Sequence, residues 1–157
     1  MMVRAYPAEG EEVSQICFTT YCRAEPQGSM RGFVLPGKGA AKPRAILTSN
    51  NPKMRPYRQE LTHSAMAEMR ERGLVAPLAA KHVPVGVVFD FYFARPASIP
   101  KKRTRIVVKP DLDKVIRATA DSLTGILYAD DAQIVEMVAN KHYGIPERVE
   151  ISVCTLD

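Results

Sequence analysis

The stretch from residue 83 to residue 94, VPVGVVFDFYFA, constrains the fold more than any other part of this sequence. Its apolar residues alternate, which places one set on a single face of a strand: Val85, Val87, Phe89, Phe91 and Phe93. The opposite face also carries large apolar side chains, Val88 and Tyr92. We therefore expect this strand to lie in the middle of a sheet.

The other periodicities predict two helices, over residues 57–72 and 111–124, and five further strands. The first helix has apolar residues at i, i+4 spacing, and the second has an apolar face that Gly125 ends: Leu61, Ala65 and Met69; Leu112, Val115, Ile116, Thr119 and Leu123. The further strands fall at 13–22, near 30–35, near 44–49, at 132–141 (Val135, Met137 and Ala139 on one side) and at 148–156 (Val149, Ile151 and Val153 alternating). Residues 50–56 predict a turn or loop.

The resulting order is strands, helix, strand, helix, strand, strand. This order predicts a small α+β domain with a mixed or antiparallel sheet and two main helices. The length of 157 residues suits one domain, so we take residues 1–157 as a single unit.

Cysteine usage and hydropathy predict a cytoplasmic protein. No apolar run approaches the roughly 20 residues that span a bilayer. The first residues, MMVRAYPAEGEE, lack the apolar core of a secretion signal. Cys17, Cys22 and Cys154 match no zinc-binding pattern, so we expect small buried hydrophobes in a reducing compartment.

Positive charge is concentrated in two segments of a chain whose net charge is +5. Residues 26–59 contain no acid, and neither do residues 91–110, yet both are rich in Lys and Arg. Segments of a single sign favour a polyanion, of which nucleic acid is the commonest. The alternative is a solvated surface or a mobile loop.

Acidic residues are gathered in the next stretch, KPDLDKVIRATADSLTGILYADDAQIV, from Lys109 to Val135. Each of its aspartates has a structural interpretation. Asp111 suits the N-cap of the helix, Asp113 suits its first turn, and the pair Asp130 and Asp131 suits a turn.

A functional interpretation takes the aspartates together. At about 3.6 residues per turn, Asp113, Arg117 and Asp121 share one helix face, where Asp121 is expected to support Arg117. If the strand after Asp131 packs beside the helix start, four carboxylates meet there. Two charges about 4 Å apart repel by roughly 4 kcal/mol at an effective dielectric of 20, so a cation is needed. Oxygen ligands suit Mg²⁺ or Mn²⁺, which indicates metal-assisted hydrolysis of a phosphodiester.

Two pieces of this stretch, DLDKVIRATADSLTG and YADDAQIV, resemble the RusA family of Holliday-junction resolvases of bacteria and their phages. The pattern is D-L-D entering a helix, then D-x-L-T-G, then D-D-x-Q-I/V entering a strand. The resemblance implies a RusA-like fold, a homodimer and Mg²⁺ as cofactor, and the oxygen ligands would also accept Mn²⁺. It also implies an endonuclease that resolves four-way DNA junctions by paired symmetric cuts in recombination and repair.

Carried over by position, the resemblance implies metal-binding catalytic roles for Asp111, Asp113 and Asp131, with Asp130 as a neighbouring ligand. Arg117 stands where the family usually has lysine; it keeps the charge for contact with phosphate but cannot act as a proton donor. The predicted DNA-contacting residues are all cationic: Lys101, Lys102, Arg103, Arg105, Lys109 and Lys114.

Two other functions remain open from the sequence. One is a nuclease that acts on other branched DNA, such as flaps or forks. The other is a DNA-binding protein without catalysis, whose aspartates only cap a helix and fill a turn. We expect Tyr128 to pack in the core, and His63, His82 and His142 to take no part in catalysis.

Overall fold

The computed structural model describes residues 15–37, 39 and 42–156, with the backbone alone for residues 48 and 49. The elements appear in the predicted order: β1 Gln15–Thr20, β2 Met30–Leu35, β3 Arg44–Ser49, α1 Met54–Glu71, β4 Val85–Phe93, α2 Leu112–Leu123, β5 Ile134–Tyr143 and β6 Arg148–Thr155. A short 3-10 helix, Asp131–Gln133, precedes β5. The prediction of a small α+β fold with two helices is confirmed.

The main sheet has four strands in the order β1-β6-β4-β5 and is mixed. β6 is antiparallel to both β1 and β4, whereas β4 and β5 are parallel. β4 therefore has a neighbour on each side, as its two apolar faces predict. Because β4 and β5 are parallel, the chain between them must cross over the sheet. This crossover contains α2 together with all the predicted site residues.

The core lies between the two helices and one face of this sheet. Val85, Val87, Phe89, Phe91 and Phe93 of β4 are all buried, and so are Val149, Ile151 and Val153 of β6. α1 and α2 cover them with buried side chains: Tyr57, Leu61, Ala65 and Met69; Val115, Thr119 and Leu123. The hydroxyls of Tyr57 and Thr119 lie 2.7 Å apart and join the helices. Thr119 in turn donates to the carbonyl of Val115, so both buried hydroxyls are satisfied.

Three local predictions were wrong. α1 begins at Met54, inside the segment expected to be a loop, because Pro56 falls in the first turn, where backbone N–H groups have no partner within the helix. β5 begins at Ile134, two residues later than predicted, because residues 131–133 form the 3-10 helix. Cys17 is exposed rather than buried, since its side chain lies on the sheet face that the helices do not cover.

The strands β2 and β3 form a separate two-stranded antiparallel sheet. Both strands were predicted, but nothing in their sequence indicated that they would stand apart from the main sheet. The predicted strand at 13–22 begins outside the described residues. Within the described part of the chain, no helix is both long and apolar enough to cross a membrane.

Candidate active site

The start of α2 presents two carboxylates to solvent. Asp111 is the N-cap residue, as predicted, but its side chain makes no capping hydrogen bond. Asp113 lies in the first turn, and its side chain is 70% exposed. Lys114 Nζ lies 2.6 Å from Asp113 Oδ2, and this hydrogen bond lowers the pKa of Asp113 below its ordinary value. Asp113 is therefore ionised at neutral pH, with a cation beside it.

The face of α2 that carries Asp113 continues through Arg117 to Asp121. Asp121 does not support Arg117 as expected, because its Oδ2 accepts a hydrogen bond from the guanidinium of Arg58, on α1, at 3.3 Å. Arg117 is exposed and makes no ion pair with any residue in the described part of the chain. Its guanidinium is therefore available to an external anion.

Asp130 and Gln133 build the turn that leads into β5. Asp130 Oδ1 accepts a hydrogen bond from the backbone of Ala132, and Gln133 Oε1 accepts one from the backbone of Asp130, both at 2.9 Å. The Gln133 amide also donates to the carbonyls of Ala80 and Val83. The first and last residues of the D-D-x-Q pattern therefore stabilise the turn. Asp131, between them, is an exposed carboxylate that this turn does not use.

Asp131 lies among other carboxylates. Its pKa is raised above its ordinary value, first by partial desolvation of the carboxyl group and then by the neighbouring Asp130 and Asp121. Like charges and hydrogen bonds between carboxyl groups favour the protonated form. A group perturbed in this way marks a candidate functional position.

The four carboxylates do not converge on the helix start as expected. β5 runs back along α2, so its first residues lie near the second half of the helix, and the groups that raise the pKa of Asp131 include Asp121 but neither Asp111 nor Asp113. Among residues 15–37, 39 and 42–156, no three His, Cys, Asp or Glu side chains lie close enough to hold a metal ion. The donor chemistry still suits Mg²⁺, which commonly takes one or two protein carboxylates and completes its shell with water and substrate phosphate.

A basic loop, defined here as residues 94–110, enters the site from β4. Arg95 holds its first part: the guanidinium donates to the carbonyls of Pro100 at 3.1 Å and Arg103 at 2.8 Å and stacks over the ring of Tyr143. Lys141 of β5 holds its last part, because Lys141 Nζ donates to the carbonyls of Val108 at 2.9 Å and Pro110 at 2.8 Å. The side chains predicted to contact DNA lie between or beside these two fixed points and are all exposed: Lys101, Lys102, Arg103, Arg105, Lys109 and Lys114.

The sequence prediction missed Lys141 and Gln133 because their carbonyl partners lie 31 to 53 residues away along the chain. It also missed Arg95, whose carbonyl partners lie within the same loop. One signal for Lys141 was present. It follows Met137 and Ala139 at alternating positions and so lies on the helix-covered face of β5. A lysine on that face needs a hydrogen-bonding partner.

Two predictions about aromatic and histidine residues can be compared with the structure. Tyr128 is fully buried, and its hydroxyl donates to the carbonyl of Ala120 at 2.7 Å, so the prediction that it packs in the core is confirmed. His142 Nε2 lies 2.7 Å from Asp90 Oδ1 on the open face of the sheet. That face is opposite the one that holds Lys141 against the start of α2.

Comparison with known proteins adds two findings. The family described as endodeoxyribonuclease RusA matches residues 36–154, a range that contains every predicted site residue. A protein of Bacillus subtilis (strain 168), named uncharacterized protein YqaN, is 24% identical over 148 residues, which span 88% of this chain and 94% of that protein.

Proposed function

The chain belongs to the RusA endodeoxyribonuclease family, and on that premise we propose that it resolves four-way DNA junctions by Mg²⁺-dependent, paired, symmetric cuts. The observation that carries this proposal is the order of charges along the connection between β4 and β5. The basic loop, which hydrogen bonds hold at both ends, is followed directly by the exposed carboxylates at the start of α2. Cations that grip a phosphate backbone beside carboxylates that bind a metal are the two parts such a reaction needs.

Asp111, Asp113 and Asp131, with Asp130 beside them, would hold the Mg²⁺, and Mn²⁺ would substitute. When bound, the ion supplies charge stabilisation to the phosphate under attack. Asp113 and Asp131 are both exposed, so each carboxylate is open to an ion from the solvent. The Asp130 carboxylate is already engaged by the turn and by Asp131, so we assign it the role of a neighbour of the metal site.

The cations of the site bind and orient the DNA strand. A guanidinium group is a poor proton donor, so the role of Arg117 is to contact phosphate and not to transfer a proton. Lys114 keeps Asp113 ionised and adds positive charge beside the reacting group. The exposed cations of the basic loop contact the phosphate backbone.

The proposal includes a homodimer. A four-way junction has approximate two-fold symmetry, and two symmetric cuts need two sites related in the same way. A C₂ dimer provides them. We expect the protein to act in the cytoplasm of a bacterium or a phage-infected cell.

The test is direct. Purified protein is incubated with a synthetic mobile four-way junction, with and without Mg²⁺, and the cuts on all four strands are mapped. Paired cuts on opposite strands that depend on the metal are expected. Cutting of flaps or forks in preference to the junction would replace the substrate, and junction binding without any cleavage would leave a non-catalytic DNA-binding protein.

A further inference from the structure

The β2–β3 hairpin is the most exposed apolar part of the described chain. Every one of its side chains that the structure describes is exposed, including Val34 at 64% and Leu47 at 66%. A lone two-stranded hairpin is marginally stable in water, and exposed apolar clusters commonly mark a binding surface. The hairpin is therefore expected to have a partner.

The register of the hairpin divides it into two different faces. Directly paired residues of antiparallel strands share a face. One face, called here the arginine face, carries Arg31, the pair Phe33 and Ile46, and the pair Leu35 and Arg44. The other, called here the neutral face, carries these described side chains: Met30, Val34, Ala45 and Leu47. Positive charge is thus confined to one side of the ribbon.

The arginine face has the charge pattern of a nucleic-acid contact. Arg31 and Arg44 are attached at opposite ends of this face, with their backbone positions about 14 Å apart along strands that rise roughly 3.4 Å per residue. That spacing matches about four base-pair steps of 3.4 Å. Neither arginine makes an ion pair with a described residue. No acid occurs anywhere from Pro26 to Gln59, so nothing within this segment neutralises them.

The hairpin also stands beside the candidate active site. The segment that leads into it is tied to the first turn of α2, because the backbone N–H of Gln27 donates to the carbonyl of Lys114 at 3.1 Å. Its base is closed by a hydrogen bond from Asn50 to the carbonyl of Ser29. Six residues of strand extend about 20 Å, so the hairpin begins near the helix start and is long enough to span several base pairs.

We propose that the arginine face of the β2–β3 hairpin lies against the branch point of the DNA. Arg31 and Arg44 contact phosphates, and Phe33, Leu35 and Ile46 cover base pairs at the crossover. Base pairs at an open crossover have a stacked neighbour on one side only, so their free faces accept apolar side chains. Apolar wedges between base steps are a known way to hold distorted DNA. This inference rests on the proposed function, since it assumes a branched substrate.

The test compares both faces in the full-length protein. The apolar variant is Phe33→Ser with Ile46→Ser, and its matched control on the neutral face is Val34→Ser with Leu47→Ser. The charge variant is Arg31→Ala with Arg44→Ala, and its control is Arg31→Lys with Arg44→Lys. Affinity for a four-way junction and for linear duplex is measured over a range of salt, and 2-aminopurine at the crossover reports unstacking.

The apolar variant is expected to lose about tenfold in junction affinity, in line with the loss of base stacking on one side chain, and to lose the 2-aminopurine signal. The affinity of the apolar variant for duplex should match that of the parent. The neutral-face control should match the parent in its affinity for the junction and in its 2-aminopurine signal. The charge variant should reduce the slope of log affinity against log salt by about 2, since each phosphate contact contributes about 0.9. The lysine control should keep the slope.

Equal junction affinity in parent and apolar variant would overturn the inference, and so would equal losses on both faces. A drop from dimer to monomer mass in the apolar variant would also overturn it, because the face would then bind a second copy of the chain. Failure of the proposed function looks different, since the parent itself would then neither cut nor prefer the junction.

Discussion

At the scale of the residue, replacing Asp113 tests whether this carboxylate is a metal ligand or only a charge that stabilises the helix. We expect Asp113→Asn to lower Mg²⁺-dependent junction cleavage by at least about 100-fold, because a metal ligand is lost. Junction affinity without metal should hold or rise, since a negative charge near phosphate is removed. Single-turnover cleavage and binding assays measure the two effects.

The control for Asp113→Asn is Glu71→Gln, which removes an exposed carboxylate at the end of α1 and should leave cleavage intact. If Asp113 only stabilises the first turn of α2, its replacement would lower the melting temperature slightly, through the lost interaction with the helix dipole, and leave cleavage intact. Full cleavage by Asp113→Asn would then exclude it from the metal site.

Asp131 predicts a pH dependence of stability in the metal-free protein. Its pKa in the folded protein is raised above 3.8, so the folded state holds this proton more tightly than the unfolded state. Its contribution to stability therefore falls as pH rises through the folded pKa, and the full penalty is present at neutral pH. Asp131→Asn should melt at a higher temperature than the parent near pH 7.

The Tm advantage of Asp131→Asn should shrink as pH falls from about 7 toward about 4, because the parent carboxyl becomes protonated. Added Mg²⁺ should raise the Tm of the parent more than that of the variant, since ligand stabilisation follows site occupancy. Thermal melts in chelator and in Mg²⁺ measure both. A variant less stable than the parent by the same amount at every pH would contradict this account.

The sequence predicts residues well when one helix fixes their relation and poorly when the relation is tertiary. The positions of Asp111 and Asp113 at the start of α2 follow from spacing alone. The neighbourhood of Asp131 depends on where the chain returns after α2, and the structure brings it to Asp121 instead of the helix start. The Arg58–Asp121 pair joins two helices and has no local signature.

At the scale of the element, the basic loop predicts how salt affects DNA binding. Replacing Lys101, Lys102, Arg103 and Arg105 with alanine should weaken junction binding and reduce the slope of log affinity against log salt by about 3 to 4. The fold should persist, since all four side chains are exposed. Arg70→Ala, an exposed cation on α1, is the control and should keep the slope. An unchanged slope in the loop variant would place the loop away from DNA.

Lys141 predicts a link between β5 and the end of the basic loop. Lys141→Met removes two hydrogen bonds from a half-buried ammonium group to the carbonyls of Val108 and Pro110. We expect a loss of about 1 to 3 kcal/mol in unfolding free energy and faster trypsin cleavage within the loop. Urea unfolding and limited proteolysis measure these changes, with the exposed Lys81→Met as control. Parent-like values for both would mean that the clamp has no effect.

Alternation along the chain predicted the strands themselves, and β4 is interior because both its faces are apolar. Two features of the elements were not predictable in this way. The start of α1 at Met54 depends on a proline that the first helical turn tolerates. Within the described residues, β2 and β3 pair only with each other and with no strand of the main sheet. No local pattern in their sequence indicates this separation.

At the scale of the whole molecule, symmetric cleavage predicts a dimer. Light scattering should give a mass of twice the 17.4 kDa of one chain at working concentration. The same sample should cut opposite junction strands at paired positions. A mass near 17.4 kDa combined with paired cuts would contradict the dimer. Paired cuts would then arise from chains that each carry a single set of site residues and are not joined.

The edge position of β5 has a consequence for solubility. From Ile134 to Ala139 the strand is apolar except for Glu136, and Val135, Met137 and Val138 are all exposed. An uncharged apolar edge is a template for strand addition by other molecules and so for aggregation. Glu136 is the one charge in this apolar run, and we expect it to act as a gatekeeper that limits such strand addition.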